Sequence, residues 1–285
     1  MQHLAVVRGE APPTTALVEI AEVCKEYTTT DGLVMALDHV SLDIGQHEFL
    51  SVLGPSGCGK STLMLIVAGL VPATSGRVKI AGSEVRRPSR AVGIVFQDAN
   101  LYEWRRVLDN VLLPAQIQGL DAAAARQRAL ELLDLVGLAG FERKYPFELS
   151  GGMRQRVALC RALVHGPSLL LMDEPFGALD ALTRDQLNLE LLSIWQRPPR
   201  KTVLFITHSI SEAVFLSDRV VVMSPRPGRV ASVVPIDLPR PRTLEVTGTP
   251  EFAEHTRAIR AIFQSWGMLK EPLADRSSAR EPVAW

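Results

Sequence analysis

The chain has 285 residues, 47% hydrophobic and 22% charged, and its 31 basic and 31 acidic side chains cancel to a formal net charge of zero. That balance provides no global basic field to draw nucleic acid, and the hydrophobic content suffices for one large core. The longest apolar run, at 63–71, has nine residues against about 20 for a membrane-spanning helix, so the chain is not expected to cross a bilayer. Residues 1–15 carry prolines and charges but no apolar stretch like that of a secretory signal. The cysteines at 24, 58 and 160 are few and scattered. Both features fit a reducing cytoplasm.

In chain order, strand-like runs fall at 17–20, 49–53, 92–96, 169–172, 203–206 and 219–223, interleaved with helical patterns, which predicts an α/β unit with a largely parallel sheet. Ligands of such sheets sit at the carboxyl ends of the strands. Between 98 and 165 the strand signal disappears. Asp121 there is expected to cap a helix over 122–136, and the stretch is expected to be an inserted helical subdomain. A turn at 224–228 precedes one more strand at 229–234, a Pro-Arg-rich connector at 235–242 and a short helix near 250–265. From about 271 the sequence has no periodicity and is expected to be disordered.

Gly54-Pro55-Ser56-Gly57-Cys58-Gly59-Lys60-Ser61 follows the strand at 49–53 and runs into a helical stretch that begins with Thr62. This is the context that G-x-x-x-x-G-K-[ST] requires to be a phosphate-binding loop. Glycines allow successive N–H groups and the helix N-terminus to face an anion, Lys60 adds a charge at the β- and γ-phosphates, and the Ser61 hydroxyl can ligate Mg²⁺. Chance yields on the order of 0.01 such octets in a chain of this length. The loop by itself does not choose between a kinase, a GTPase and an ATPase.

A second run, Leu169-Leu170-Leu171-Met172-Asp173-Glu174, ends in adjacent carboxylates; Asp173 can hold Mg²⁺ and Glu174 can reach an attacking water. Between the two motifs, Leu149-Ser150-Gly151-Gly152-Met153 opens a helix with Ser150 as the expected N-cap. It is either an ordinary capped helix or a second anion site built from a helix N-terminus and exposed backbone.

With these segments in this order the chain resembles the ATP-binding cassette family, in which 149–153 corresponds to the signature motif. The resemblance spans about 17–234 and places Tyr27 as the adenine-stacking aromatic. It makes Gln97 the glutamine that reaches the metal and the reacting water, Asp180 part of the D-loop, and His208 the switch histidine. It implies a RecA-like P-loop NTPase core with an antiparallel β subdomain and an inserted helical subdomain at about 98–165. An ATPase domain at 17–234 and a partly disordered C-terminal extension at 235–285 follow from it. ATP and Mg²⁺ are the implied ligands. Gly54, Pro55, Ser56, Gly57, Cys58, Gly59, Lys60, Ser61 and Thr62 would cradle the nucleotide on one copy, and Ser150, Gly151 and Gly152 would complete the site on the other. Glu174, His208, Lys60 and Gln97 are the implied catalytic set, and Ser61, Gln97 and Asp173 the implied metal set.

Met153 stands where many cassettes have glutamine, and a thioether cannot donate a hydrogen bond there. The segment 97–110 corresponds to the groove that receives a coupling helix of a membrane subunit, with Tyr102 and Trp104 as contact anchors. Within the family, Trp104-Arg105, 171–183 and 224–228 resemble the nitrate, sulfonate, taurine and bicarbonate importers, although Glu103 replaces the expected proline. The implied partners are a second cassette, separate permease subunits and, indirectly, a solute-binding protein, at the cytoplasmic face of the inner membrane. Two other readings stay open: an exporter motor, and a cassette that acts on nucleic acid or ribosomes. The short span between Lys60 and Ser150 has no room for the coiled coils of the repair type. Cys58, beside a helix N-terminus and Lys60, is expected to be the most reactive thiol, with Cys24 and Cys160 more sheltered.

Overall fold

The computed structural model describes residues 16–30 and 32–268, so the segments 1–15 and 269–285, including the expected disordered tail, lie outside the described residues. The strands are β1 (Ala16–Thr29), β2 (Gly32–Gly45), β3 (Phe49–Leu53), β4 (Ser75–Ile80), β5 (Ser83–Glu84), β6 (Val92–Val95), β7 (Leu169–Asp173), β8 (Thr202–Ile206), β9 (Arg219–Met223) and β10 (Val230–Pro235). The α-helices are α1 (Lys60–Val67), α2 (Val107–Gln118), α3 (Ala122–Leu135), α4 (Gly151–Leu163), α5 (Ala181–Gln196), α6 (Ile210–Leu216) and α7 (Pro250–Ser265).

Six strands form one sheet in the order β10-β9-β3-β8-β7-β6. The pairs from β9 through β6 are parallel, and β10 joins β9 as an antiparallel edge. All residues of β3 and β8 and the first four of β7 are buried. This is the continuous apolar pattern that a strand covered on both faces requires. Four further strands, β2-β1-β4-β5, make a wholly antiparallel sheet. One apolar cluster lies between this sheet, α1 and the larger sheet, and includes Val18, Ile44, Leu63, Met64 and Ile206. A second fills the opposite face of the large sheet, where Phe49, Phe205 and Trp195 meet α5, α6 and α7.

Residues 107–164 are helical and enclose a third cluster around Val111, Leu133 and Val157. Side-chain caps start their helices: Asp121 accepts from Ala124 N at 2.7 Å and Ser150 from Met153 N at 3.3 Å. Past 235 the chain stays on the core through residue 268. Ile236, Leu238, Phe252 and Ile259 are buried in the second cluster. Arg242 is buried with them and donates to the carbonyls of Val214, Phe215, Ser217, Ile236 and Leu238. Burial pulls its pKa down to about 10. Among the described residues no helix is long and apolar enough to cross a membrane.

Candidate nucleotide site

The carboxyl ends of β3, β7 and β8 converge on the phosphate loop. Gly59 immediately precedes α1 in the left-handed region at φ 100° without a capping side chain, so the first N–H groups of the helix are left for another acceptor. A methyl group at Gly59 would fall 2.6 Å from Leu37 Cδ2 and 2.8 Å from the Ala36 carbonyl. The loop is thus moulded against β2 of the antiparallel sheet. Lys60 is buried and donates through Nζ to the carbonyls of Gly54 at 2.9 Å and Pro55 at 3.1 Å, so its charge is held over the curve of the loop.

A cleft of about 370 Å³ opens over this curve. Ser56, Gly57, Gly59, Lys60, Ser61 and Thr62 line its floor, and Glu174 closes one side. Tyr27 of β1 stands at the other side, with its ring covered by Lys25 Nζ at 4.9 Å from the centroid. Val34, Ala36 and Arg226 also line the cleft; no sequence motif marks Val34 or Ala36, and Arg226 is marked only as part of the 224–228 turn. They reach it only because β2 and the 224–228 turn fold back on the loop: Gly228 N donates to Ala36 O and Asp38 N to Gly228 O, both at 3.0 Å.

Asp173 and Glu174 end β7 beside Ser61. The Ser61 hydroxyl hydrogen-bonds Asp173; burial, with the Glu174 charge adding to it, pushes the Asp173 pKa up despite that bond and the nearby Lys60. A hydroxyl and a desolvated carboxylate together suit a hard divalent cation, which would offset that cost. Glu174 has φ 44°, an uncommon conformation for a residue with a Cβ. Its N–H donates to the Ile206 carbonyl at 2.9 Å. Glu174 Oε2 lies 3.2 Å from His208 Nδ1. Glu174 lines the cleft, whereas Asp173 and His208 do not and reach it through Ser61 and Glu174.

Gln97, Ser150, Gly151, Gly152 and Asp180 are not among the residues lining the cleft. Gln97 is exposed after β6, and its carbonyl accepts from Gln155 Nε2 of α4 at 2.5 Å. Arg161 of the same helix holds the next residues through Asn100 O and Ala99 O, both at 2.7 Å. The helix opened by Ser150 therefore grips the loop that begins at Gln97. Its first residues also meet the D-loop, since methyl groups at Gly151 and Gly152 would touch Leu179 Cδ2 at 3.6 Å and Thr183 Cγ2 at 3.0 Å. Asp180 caps α5 by accepting from Thr183 N at 3.0 Å. Ser150, Gly151 and Asp180 thus form an exposed face outside the lining of the cleft that holds Lys60, with the buried Gly152 packed on Thr183.

Met153 packs on the helical cluster rather than facing out with Ser150 and Gly151. Tyr102 and Trp104 are exposed, with ring centroids 4.9 Å apart. Asn110 fixes their loop by accepting from Tyr102 N and donating to the carbonyls of Tyr102, Arg105 and Arg106.

The expectation for Cys58 is overturned. Its thiol is buried, pointing under the loop toward Gly54, where a methyl group would meet Sγ at 2.7 Å. Burial pushes its pKa up, against the pull of Lys60 and two backbone N–H groups. Cys58 therefore shapes the loop through its backbone and its thiol does not line the cleft; Cys24 and Cys160 are buried as well. Cys24, Asp38 and His39 lie close enough to suggest a metal cluster. Asp38 is instead committed to an ion pair with Arg229, and its carboxyl is held below the usual range by hydrogen bonds from His39 and Arg229.

Fold and cleft together define a P-loop nucleotide-binding protein. The chain matches the ABC transporter family model over residues 37–177. It is 51% identical over 238 residues to a taurine import ATP-binding protein of Rhizobium johnstonii, covering 81% of this chain and 90% of the relative. It is also 40% identical over 256 residues to an aliphatic sulfonates import ATP-binding protein of Bacillus cereus, covering 90% and 99%. Among solved structures it resembles a dimeric ATP-binding cassette in a post-hydrolysis state bound to ADP and Pi. That match has a TM-score of 0.69 at 32% identity and covers 78% of this chain and 99% of the other. The chain belongs to the ATP-binding cassette transporter family. It is an ATPase subunit whose hydrolysis is coupled to transport.

Proposed function

We propose that this chain drives import of taurine or a related small sulfonate, as one of two cassettes beneath separate permease subunits at the inner face of the membrane. The observation that carries the reading is the agreement between the cleft built on Lys60, Ser61 and Glu174, with Asp173 bonded to Ser61 behind it, and the import names of relatives that align over most of their length. Nitrate and bicarbonate remain within the same importer group. The segment with Tyr102 and Trp104, exposed and pinned by Asn110, is the face offered to the permease. Substrate choice rests with the permease and a solute-binding protein, since the cleft here is shaped for a nucleotide.

In this reading ATP lies over α1 with its adenine against Tyr27 and its phosphates against the loop amides. Lys60 exchanges its bonds to Gly54 and Pro55 for phosphate oxygens. Ser61 and Asp173, with Gln97 brought in from the loop after β6, would hold Mg²⁺, whose charge would offset that of the phosphate oxygens. Glu174 orients the attacking water and accepts its proton, and His208 turns from Glu174 toward the γ-phosphate. Ser150, Gly151 and Gly152, together with Asp180, come from the second copy; their place outside the lining of their own chain's cleft supports that arrangement.

The test is uptake in vesicles that contain this chain, its permease and the solute-binding protein. ATP-dependent accumulation of labelled taurine is expected, with ATPase activity raised by loaded binding protein. ATP-driven release of preloaded solute would instead favour an exporter, and turnover that responds to nucleic acid but not to the permease would overturn the transport reading.

A further inference from the structure

The loop that carries His208 is braced from behind by a carboxylate that the mechanism above does not use. Glu212, in the first turn of α6, is buried, and its Oε2 accepts a hydrogen bond from the Thr207 hydroxyl. That hydroxyl also accepts from Ser209 N at 3.0 Å, and Ser209 Oγ accepts from Glu212 N at 3.3 Å. Thr207 is therefore tied to the Glu212 side chain, and Ser209 to the Thr207 hydroxyl and the Glu212 backbone N–H. Thr207 is itself anchored to the central sheet, its N–H donating to Val52 O at 3.3 Å.

On its other side Glu212 Oε1 is buried without a hydrogen-bond partner, beside a small cavity that Asn188 and Arg184 of α5 also line. Arg184 NH2 donates to the Leu179 carbonyl at 2.9 Å, just before Asp180. Burial pushes the Glu212 pKa up despite the Thr207 bond and the nearby Arg184 and His208 charges. A buried carboxylate is a costly way to fill space between Ala213, Val214 and α5, where an apolar residue would serve. What distinguishes it is the acceptor it offers to the switch loop.

We propose that Glu212 is a positioning residue that acts through Thr207 to hold the His208 loop against Glu174. The inference rests on the reading of His208 as a γ-phosphate contact. It assigns no chemistry to Glu212 itself.

The test uses the full chain with five variants and a reference. Glu212→Ala and Thr207→Val, which each delete the link, are expected to lower kcat by roughly 10- to 100-fold with KM for ATP changed by less than about twofold. The double variant should be no worse than either single, because both remove one interaction. Thr207→Ser keeps the hydroxyl and Glu212→Gln keeps an acceptor, so each should retain most of kcat. His208→Ala is the reference for loss of the histidine. The proposal is overturned if His208→Ala is impaired while Thr207→Val and Glu212→Ala turn over normally, or if the effects of the two singles multiply; the His208 reading would survive either result. A fully active His208→Ala sinks that reading and the proposal together. Should Glu212→Ala fail to fold, the Thr207→Val and Thr207→Ser pair decides, and equal kcat in those two overturns the proposal.

Discussion

Gly228→Ala is the substitution whose effect follows most directly from the structure. Gly228 lies in the turn between β9 and β10, with its backbone outside the left-handed region, so a side chain there meets no conformational penalty of its own. The obstacle is space. An added methyl group falls 1.9 Å from the Cys58 carbonyl oxygen and 2.9 Å from Met223 Cε, where ordinary contact starts at 3.4 Å. Either the phosphate loop or the 224–228 turn must move by roughly 1.5 Å to relieve the overlap. The turn cannot slide freely, because Gly228 is bonded to β2 on both sides, by its N–H to Ala36 O and its carbonyl to Asp38 N. Losing those two bonds at about 1 kcal/mol each, with some overpacking, predicts a destabilisation of about 2–4 kcal/mol. If the phosphate loop yields instead, its amides leave register and ATP affinity falls at least about tenfold, equivalent to about 1.4 kcal/mol. Urea unfolding and titration with a fluorescent nucleotide read the two routes separately. Gly248→Ala is the control, because nothing lies within 4 Å of its added methyl group, and its stability should stay within about 0.5 kcal/mol of wild type. A Gly228→Ala protein that unfolds at the wild-type midpoint and binds ATP normally would refute the close approach.

Glu174→Gln keeps the shape of the side chain but loses the proton acceptor, so turnover measured by phosphate release should drop about 10²- to 10⁴-fold while ATP binding persists and a nucleotide-held dimer accumulates by light scattering. Lys60→Ala deletes a charge-assisted contact worth about 1.5–3 kcal/mol and should weaken nucleotide binding accordingly, whereas Ser150→Arg should spare binding by the monomer and block pairing. Mixing those two variants should restore at most one intact composite site per dimer, seen as partial ATPase recovery; no recovery counts against shared sites. In the native protein all three thiols should react slowly with iodoacetamide at neutral pH. The reason at Cys58 is burial, which lowers the thiolate fraction, so its rate should climb with pH and on unfolding. Fast labelling of Cys58 in the folded chain, blocked by ATP, would mean that the thiol faces the cleft after all.

The parallel half of the molecule was legible in the sequence because its strands are buried on both faces. The runs at 49–53 and 219–223 coincide with β3 and β9, and the helix near 250–265 coincides with α7. Local chemistry also placed the caps Asp121 and Ser150, since each acts on an N–H group only three residues away. The antiparallel sheet was harder to read. Only 17–20 of the 14-residue β1 looked like a strand, because register shifts near Glu22 and Cys24 break its alternation. In β4 only Val78 and Ile80 are buried. Both strands draw their pairing from partners distant in sequence rather than from their own pattern.

The same division runs through the nucleotide site. Sequence alone determined the phosphate loop, the paired carboxylates and the family, because each of these motifs is a short contiguous run whose spacing is itself the chemistry. Tertiary structure alone decided that the Cys58 thiol turns inward under Gly54, that Arg226 and Ala36 border the cleft, and that Glu212 braces the loop of His208. Side-chain direction and burial at those positions are set by segments far away in the chain, Gly228 against Cys58 and α5 against α6, and no local pattern carries that information.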